Sequence, residues 1–141
     1  MRGQLLIPLT FVWALTIVLP TSAEMSIEEH AKRWFMERDR NGDGFLTVDE
    51  VVHYELKIFK RKDSRGTGKL SLGEYCTGIP ADQTEEVDLC YRRFAAIDAS
   101  GSGFITPEEI TDYFRRVLKA ADKNGDGKVS LDEWLASPDS H

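Results

Sequence analysis

The apolar positions of this chain fall into two kinds of pattern. From Leu5 to Leu19 they run together with no charged residue among them. From Ser26 onward they recur at intervals of three and four, broken by short stretches rich in Asp, Asn, Ser and Gly. That interval is the period of a helix resting one face on a core. Ser26-Ile-Glu-Glu29 places a hydroxyl three residues before a carboxylate, a helix-start signal. It predicts a helix to about residue 38, with Ile27, Ala31, Trp34 and Phe35 on one face. Val87, Cys90, Tyr91, Phe94 and Ile97 repeat in the same way and predict a second. Gly78-Ile-Pro80 and Pro138 must end the helices before them, since proline cannot continue a helical ladder. The exit helices there are expected to run about six to eight residues.

The opening residues read differently. Arg2 supplies one positive charge, Leu5–Leu19 is uncharged, and Pro20-Thr21-Ser22-Ala23 ends in small residues. These are the parts of a secretory signal, with cleavage expected after Ala23. A retained anchor is the alternative, but a bilayer span needs about 20 apolar residues. This run is shorter and contains Pro8, and no other stretch is apolar enough to insert stably in a membrane.

The rest of the chain is organised by a repeat. Four segments share one grammar: Asp39-Arg-Asn-Gly-Asp-Gly-Phe-Leu-Thr-Val-Asp-Glu50, Asp63-Ser-Arg-Gly-Thr-Gly-Lys-Leu-Ser-Leu-Gly-Glu74, Asp98-Ala-Ser-Gly-Ser-Gly-Phe-Ile-Thr-Pro-Glu-Glu109 and Asp122-Lys-Asn-Gly-Asp-Gly-Lys-Val-Ser-Leu-Asp-Glu133. Each has 12 residues, opens with Asp, turns at Gly in position 6 and closes with Glu. The starts lie 24, 35 and 24 residues apart, and a shift of 59 maps the first two segments onto the last two. The pattern reads as a two-segment unit that was duplicated.

A hard cation such as Ca²⁺ takes six to eight oxygens at about 2.3–2.6 Å. Oxygens at positions 1, 3 and 5 converge only if the chain turns sharply after them, which Gly permits. Position 7 gives a backbone carbonyl, from Phe45, Lys69, Phe104 or Lys128, and the Glu at position 12 closes the sphere. Thr47, Ser71, Thr106 and Ser130 at position 9 can each cap a helix, with that same Glu three residues later.

By these residues the chain resembles the EF-hand superfamily over nearly all of 26–137. The resemblance implies an all-α fold of four helix–loop–helix units with Ca²⁺ as ligand. The first loop carries the family's full set in Asp39, Asn41, Asp43, Phe45 and Glu50, and the fourth in Asp122, Asn124, Asp126, Lys128 and Glu133. The third, with Asp98, Ser100, Ser102, Phe104 and Glu109, keeps an oxygen at every position but only two charges. The second departs: Arg65 stands at position 3 and Thr67 at position 5. A guanidinium has no acceptor, so this loop is expected to act as a structural partner and to bind no metal.

Only 51–62 and 110–121 separate paired loops, about half of what calmodulin-like members have. Either one helix is shared, or two short helices meet at a kink. The expectation is two compact pairs of consecutive hands, 24–78 and 86–137, joined by a linker at 79–85 and followed by a tail at 138–141. Each pair would hold one strong loop and one weak one. A short strand bridge would set Leu46 against Leu70 and Ile105 against Val129.

Composition narrows the function. The 141 residues hold 18 Lys+Arg, 24 Asp+Glu and 3 His, for a net charge of −6. An acidic chain disfavours nucleic acid, because phosphate binding needs clustered Lys and Arg. His30, His53 and His141 show no metal spacing, and Arg65-Gly-Thr-Gly-Lys69 lacks the Ser or Thr of a phosphate loop. Cys76 and Cys90 in an exported chain favour a disulfide; two buried free thiols are the alternative, since Cys90 falls on an apolar face. No nucleophile–base pair is legible, so an enzyme is not expected. With only three Met, the apolar faces rely on aromatic and aliphatic residues.

The sequence therefore predicts an exported calcium-binding protein, secreted or periplasmic, acting as a buffer or a calcium-stabilised scaffold. A calcium-dependent interaction protein that opens a hydrophobic groove to an unidentified protein partner is the alternative. The ending Ser137-Pro-Asp-Ser-His141 is no Lys-Asp-Glu-Leu-type signal, which makes retention in the endoplasmic reticulum the least favoured location.

Overall fold

The computed structural model describes residues 26–140. The expected signal segment, 1–23, and His141 lie outside the described residues. The described chain is mostly helical, with six helices and two small antiparallel strand pairs. The order is α1 (Ile27–Arg38), β1 (Phe45–Leu46), α2 (Val48–Lys62), β2 (Leu70–Ser71), α3 (Leu72–Tyr75), α4 (Thr84–Ile97), β3 (Phe104–Ile105), α5 (Pro107–Ala121), β4 (Val129–Ser130) and α6 (Leu131–Leu135). A single 3₁₀ turn, Pro138–Ser140, follows.

Five helices start where the sequence places a hydroxyl and a Glu three apart. Ser26, Thr47, Ser71, Thr106 and Ser130 each accept from the backbone N–H three residues on, and the Glu there accepts back from the cap. Only α4 begins without a side-chain cap, at Gln83. The exit helices α3 and α6 have 4 and 5 residues, shorter than expected.

The pairing of loops differs from the sequence expectation. Helix α2 runs unbroken for 15 residues, and its C-cap is Asp63, the first residue of the second loop. Helix α5 does the same between the third and fourth loops, ending at Asp122. Each helix is shared by two loops, and at about 1.5 Å per residue it holds them roughly 20 Å apart. Leu46 therefore cannot reach Leu70, nor Ile105 reach Val129. Instead Leu46 pairs with Val129 and Phe45 with Ser130, while Leu70 pairs with Ile105 and Ser71 with Phe104. The two repeats interlock, α2 lying against α5 and α1 against α6. Because the first loop meets the fourth and the second meets the third, α2 and α5 run in opposite directions.

Four strand residues form the centre of one core: Leu46, Leu70, Ile105 and Val129 are each at most 1% exposed. Around them pack Phe35, Phe59, Phe94, Phe114, Leu118 and Trp134. Trp34 stacks on Trp134 at 4.2 Å between ring centroids, and the Trp134 indole N–H donates to the Ala31 carbonyl at 3.2 Å, fixing α6 to α1. Two expected face residues stay outside. Ile27 is 63% exposed and Tyr91 is 51% exposed, because each sits at the edge of its helix's apolar stripe. Arg38, by contrast, is turned inward: its guanidinium lies 3.9 Å from the Trp34 ring centre and 4.4 Å from that of Tyr54, and its Nε donates to Glu55 at 2.8 Å.

The cysteines pair. A disulfide joins Cys76, just past α3, to Cys90 in α4 with 6.0 Å between Cα atoms. It spans the connector between the two repeats. Among the described residues no helix is long and apolar enough to cross a membrane.

Candidate metal-binding loops

The crossed pairing sorts the loops by chemistry. Both loops with the full ligand set, 39–50 and 122–133, meet through β1 and β4. Both depleted loops, 63–74 and 98–109, meet through β2 and β3 at the other end. The expected mixture of one strong and one weak loop per pair is thereby overturned: a shared helix sends each repeat's two loops to opposite ends.

At the first end the two loops are built alike. Asp39 accepts from the amides of Gly42 and Gly44 at 2.8 and 2.9 Å, and Asp122 from those of Gly125 and Gly127 at 2.7 and 2.9 Å. Asn41 and Asn124 each accept from the amide two residues on, that of Asp43 or Asp126, at 2.8 Å. Asp43 and Asp126 accept from Phe45 and Lys128 at 2.9 and 3.0 Å. These bonds fold the first six positions into a tight turn, with Gly44 at φ 80° and Gly127 at φ 86°, where a Cβ would be strained.

The closing glutamates sit at helix starts. Glu50 Oε2 accepts from the Thr47 amide and hydroxyl at 3.1 and 2.8 Å, and Glu133 Oε2 from those of Ser130 at 2.9 and 2.8 Å. The second oxygens differ. Glu133 Oε1 accepts from the Lys123 and Asn124 amides, both at 3.1 Å, drawing the glutamate to its loop. The Ser130 and Asn124 donors lower its pKa, so it stays ionised. Glu50 Oε1 is buried with no hydrogen-bond partner. A buried carboxylate oxygen without a donor is costly unless a cation meets it, so this atom fits a metal at position 12 of the first loop. Among the described residues no group of three or more His, Cys, Asp or Glu side chains is gathered as a metal cage. The first-position and fifth-position carboxylates are turned to their own loop's amides, and seven of the fifteen expected ligands are amide, hydroxyl or carbonyl oxygens.

At the second end the loops close on themselves. Arg65 Nε and one terminal nitrogen donate to the two oxygens of Glu74 at 3.0 and 2.9 Å. The Glu that would grip a metal with both oxygens grips a guanidinium instead. That bond, with the Ser71 amide and hydroxyl, holds the Glu74 carboxyl down to about 2. The third loop uses hydroxyls: Ser100 donates to Glu109 at 2.7 Å and to Asp98 at 3.2 Å. Ser102 donates to the Phe104 carbonyl at 3.0 Å, and Thr67 to the Lys69 carbonyl at 2.9 Å. Burial raises the Asp98 pKa, but the Gly103 and Ser102 amides outweigh it, and the net shift is downward.

The position-7 residues also meet across each strand pair. The Lys128 ammonium lies 4.5 Å from the Phe45 ring centre and that of Lys69 lies 4.0 Å from that of Phe104. Sequence reasoning assigned these positions only a carbonyl. It also missed Arg65–Glu74 as a bond, although an Arg and a Glu nine positions apart in one 12-residue turn were the visible signal.

A repeated 12-residue turn that starts with a carboxylate, closes on a helix-capping Glu and pairs by a two-residue strand defines the helix–loop–helix metal-binding class. The comparisons agree: the family described as "EF hand" matches residues 31–52, 92–114 and 114–136. The chain is 29% identical to the 16 kDa calcium-binding protein of Schistosoma mansoni over 79% of its own length and 95% of that protein's. It is 32% identical to reticulocalbin-2 of Rattus norvegicus over 76% of its length, but spans only 35% of that protein. Caltubin from the great pond snail, a solved structure, is 29% identical over 80% of this chain and 98% of its own, with a TM-score of 0.22. The chain also matches calcium-dependent protein kinase 5 of Plasmodium falciparum (isolate 3D7) at 24% identity, spanning 23% of that kinase. The family match and the calcium-binding relatives support the EF-hand superfamily for this chain and Ca²⁺ as its ion.

Proposed function

We propose that this protein is an exported calcium buffer or calcium-stabilised scaffold whose two working sites share one end of the molecule. The pairing of loops 39–50 and 122–133 carries this reading. Asp39, Asn41, Asp43, the Phe45 carbonyl and Glu50 would hold one ion, and Asp122, Asn124, Asp126, the Lys128 carbonyl and Glu133 the other. Asp98, Ser100, Ser102, the Phe104 carbonyl and Glu109 form a weaker third candidate. Loop 63–74 binds none, because Arg65 already occupies Glu74. The Cys76–Cys90 disulfide supports an oxidising compartment on the secretory route, with 1–23 as the signal segment.

A calorimetric calcium titration of 24–141 tests this directly. Two strong sites, with or without a weak third, are expected. Four equivalent sites, or none, would overturn it.

A second reading is a calcium-dependent interaction protein. It is favoured by a cavity of about 380 Å³ whose wall is mostly apolar, with Trp34, Phe114 and Trp134 among its residues, and also carries the charged side chains of Glu86, Arg93 and Asp139. A hydrophobic dye separates the two readings. Fluorescence that rises strongly with calcium supports the interaction protein, and fluorescence that stays level supports the scaffold.

A further inference from the structure

Neither repeat completes its own strands. Residues 26–76 contain β1 and β2, whose partners β4 and β3 both lie beyond residue 98. The longest helices, α2 and α5, likewise pack on each other across the repeats. The surface each repeat presents is thus complementary to the other repeat, and nothing in those contacts requires both to come from one chain. What enforces that is the connector 77–83 and the disulfide spanning it. Gly78 at φ 94° bends the connector back, and Cys76–Cys90 ties α4 to the end of α3.

We propose that the partner this surface fits is a second copy of this chain. With the connector opened, the first repeat of one copy closes on the second repeat of another, and the reverse, giving a reciprocal dimer. Every loop pair in it then takes one loop from each chain, and every buried contact of the monomer is kept. The two forms differ only in the connector and in mass action. Closure within one chain profits from an effective concentration in the millimolar range for a short tether, so exchange wins when chains are that concentrated or when the connector cannot bend. The disulfide fixes the choice. Its formation takes the thiols of Cys76 and Cys90 and a small-molecule disulfide such as glutathione disulfide, which accepts two electrons and two protons and leaves as two thiols. Formed within a chain, the bond bars exchange. Formed between chains, it locks the dimer.

The test uses the full 24–141 chain, reduced by a dithiol and denatured, then refolded with a glutathione pair at about 10 μM and at about 1 mM. Non-reducing electrophoresis and light scattering read the mass. Mass spectrometry of mixed isotope-labelled and unlabelled copies reads which cysteines are joined. The expected result is a covalent dimer at least tenfold more abundant at the higher concentration, joined through Cys76–Cys90 alone, with unchanged helical circular dichroism. A second variant, Gly78→Ala, strains the bent connector, because a Cβ at that φ is disfavoured. It should raise the dimer fraction at both concentrations. Monomers alone from wild type at the higher concentration overturn the proposal, whatever the variant does. So do dimers with Cys76–Cys76 and Cys90–Cys90 links in statistical proportion, since they show unselective thiol crosslinking.

Discussion

The two ends of the molecule share a backbone and differ in what closes it. Both carry a positive-φ Gly at position 6, a hydroxyl cap at position 9 and a Glu at position 12. At the 39/122 end each loop concentrates three carboxylates. Like charges about 4 Å apart cost about 1 kcal/mol even at the dielectric of bulk water. At the 63/98 end a guanidinium and two serines do the closing with atoms of the chain itself. The loop geometry is therefore a property of its glycines and caps, while the need for a cation is a property of its side chains. One end is expected to be finished by calcium and the other by its own residues and the disulfide.

The largest effect should come from removing calcium. A ligand at 100 times its dissociation constant adds roughly 2.7 kcal/mol per site. Two sites at one end are then worth about 5 kcal/mol, and 1 kcal/mol shifts the midpoint by about 4–8 °C in a domain of 60–100 residues. Chelation should lower the melting temperature by roughly 20 °C, read by circular dichroism. An unchanged midpoint would remove the scaffold idea.

Breaking the opposite end should come next. In the chain-entropy model, cross-linking residues 14 apart contributes about 3 kcal/mol. Cys76→Ser with Cys90→Ser should therefore lower the midpoint by about 10 °C or more, yet leave the number of strong calcium sites at two. Losing those sites along with the disulfide would show that the ends are not separate.

Glu50→Gln sharpens the comparison within the 39/122 end. It should abolish the first site and, through the Leu46–Val129 strand pair, weaken the remaining one by about 5-fold or more, the lower range of coupling between linked sites. Glu74→Gln should change neither number. If calorimetry finds the loop at 122 indifferent to Glu50→Gln, the strand pair does not couple the loops.

The smallest effect belongs to Arg65→Ala and is read against pH in chelator. Glu74 has its carboxyl held down from 4.5 to about 2, first by the Arg65 bond. A depressed carboxyl contributes its full stability above the unfolded value and loses it as pH falls through the folded one. Wild type should thus hold a stability advantage over Arg65→Ala above about pH 4.5 that narrows down to about 2. A difference constant across that window would sink the assignment of Arg65 as the closing group.

The local rules were legible because they are local. Ser26 and the four position-9 hydroxyls, each with a Glu three residues later, set five helix starts, and all five form. Pairing was not legible, because strand contacts join residues far apart in sequence. The uninterrupted 51–62 and 110–121 segments, free of Gly and Pro, did hold the clue that each helix is continuous. Helical period marks a stripe but not its margins, which is why Ile27 and Tyr91 lie outside the core. Arg38 shows the converse: a charged residue in a helix's last turn reads as solvated, yet its planar head slots between two aromatic rings that meet only in three dimensions.

The stack of Trp34 on Trp134 gives the molecule an optical handle. The chain has three tryptophans, and the remaining one, Trp13, falls in the segment expected to be cleaved. Tryptophan emission from the mature protein would then come from two rings only, in mutual contact across α1 and α6. These are the helices that enter the loop at 39 and leave the loop at 122. Rings held face to face couple their electronic transitions, so the tryptophan bands of the near-ultraviolet dichroism report on that single junction. A change in the geometry of the 39/122 end is legible in those tryptophan bands without any attached label, while the 63/98 end, which holds Tyr75 and the Cys76–Cys90 disulfide, contributes no tryptophan signal.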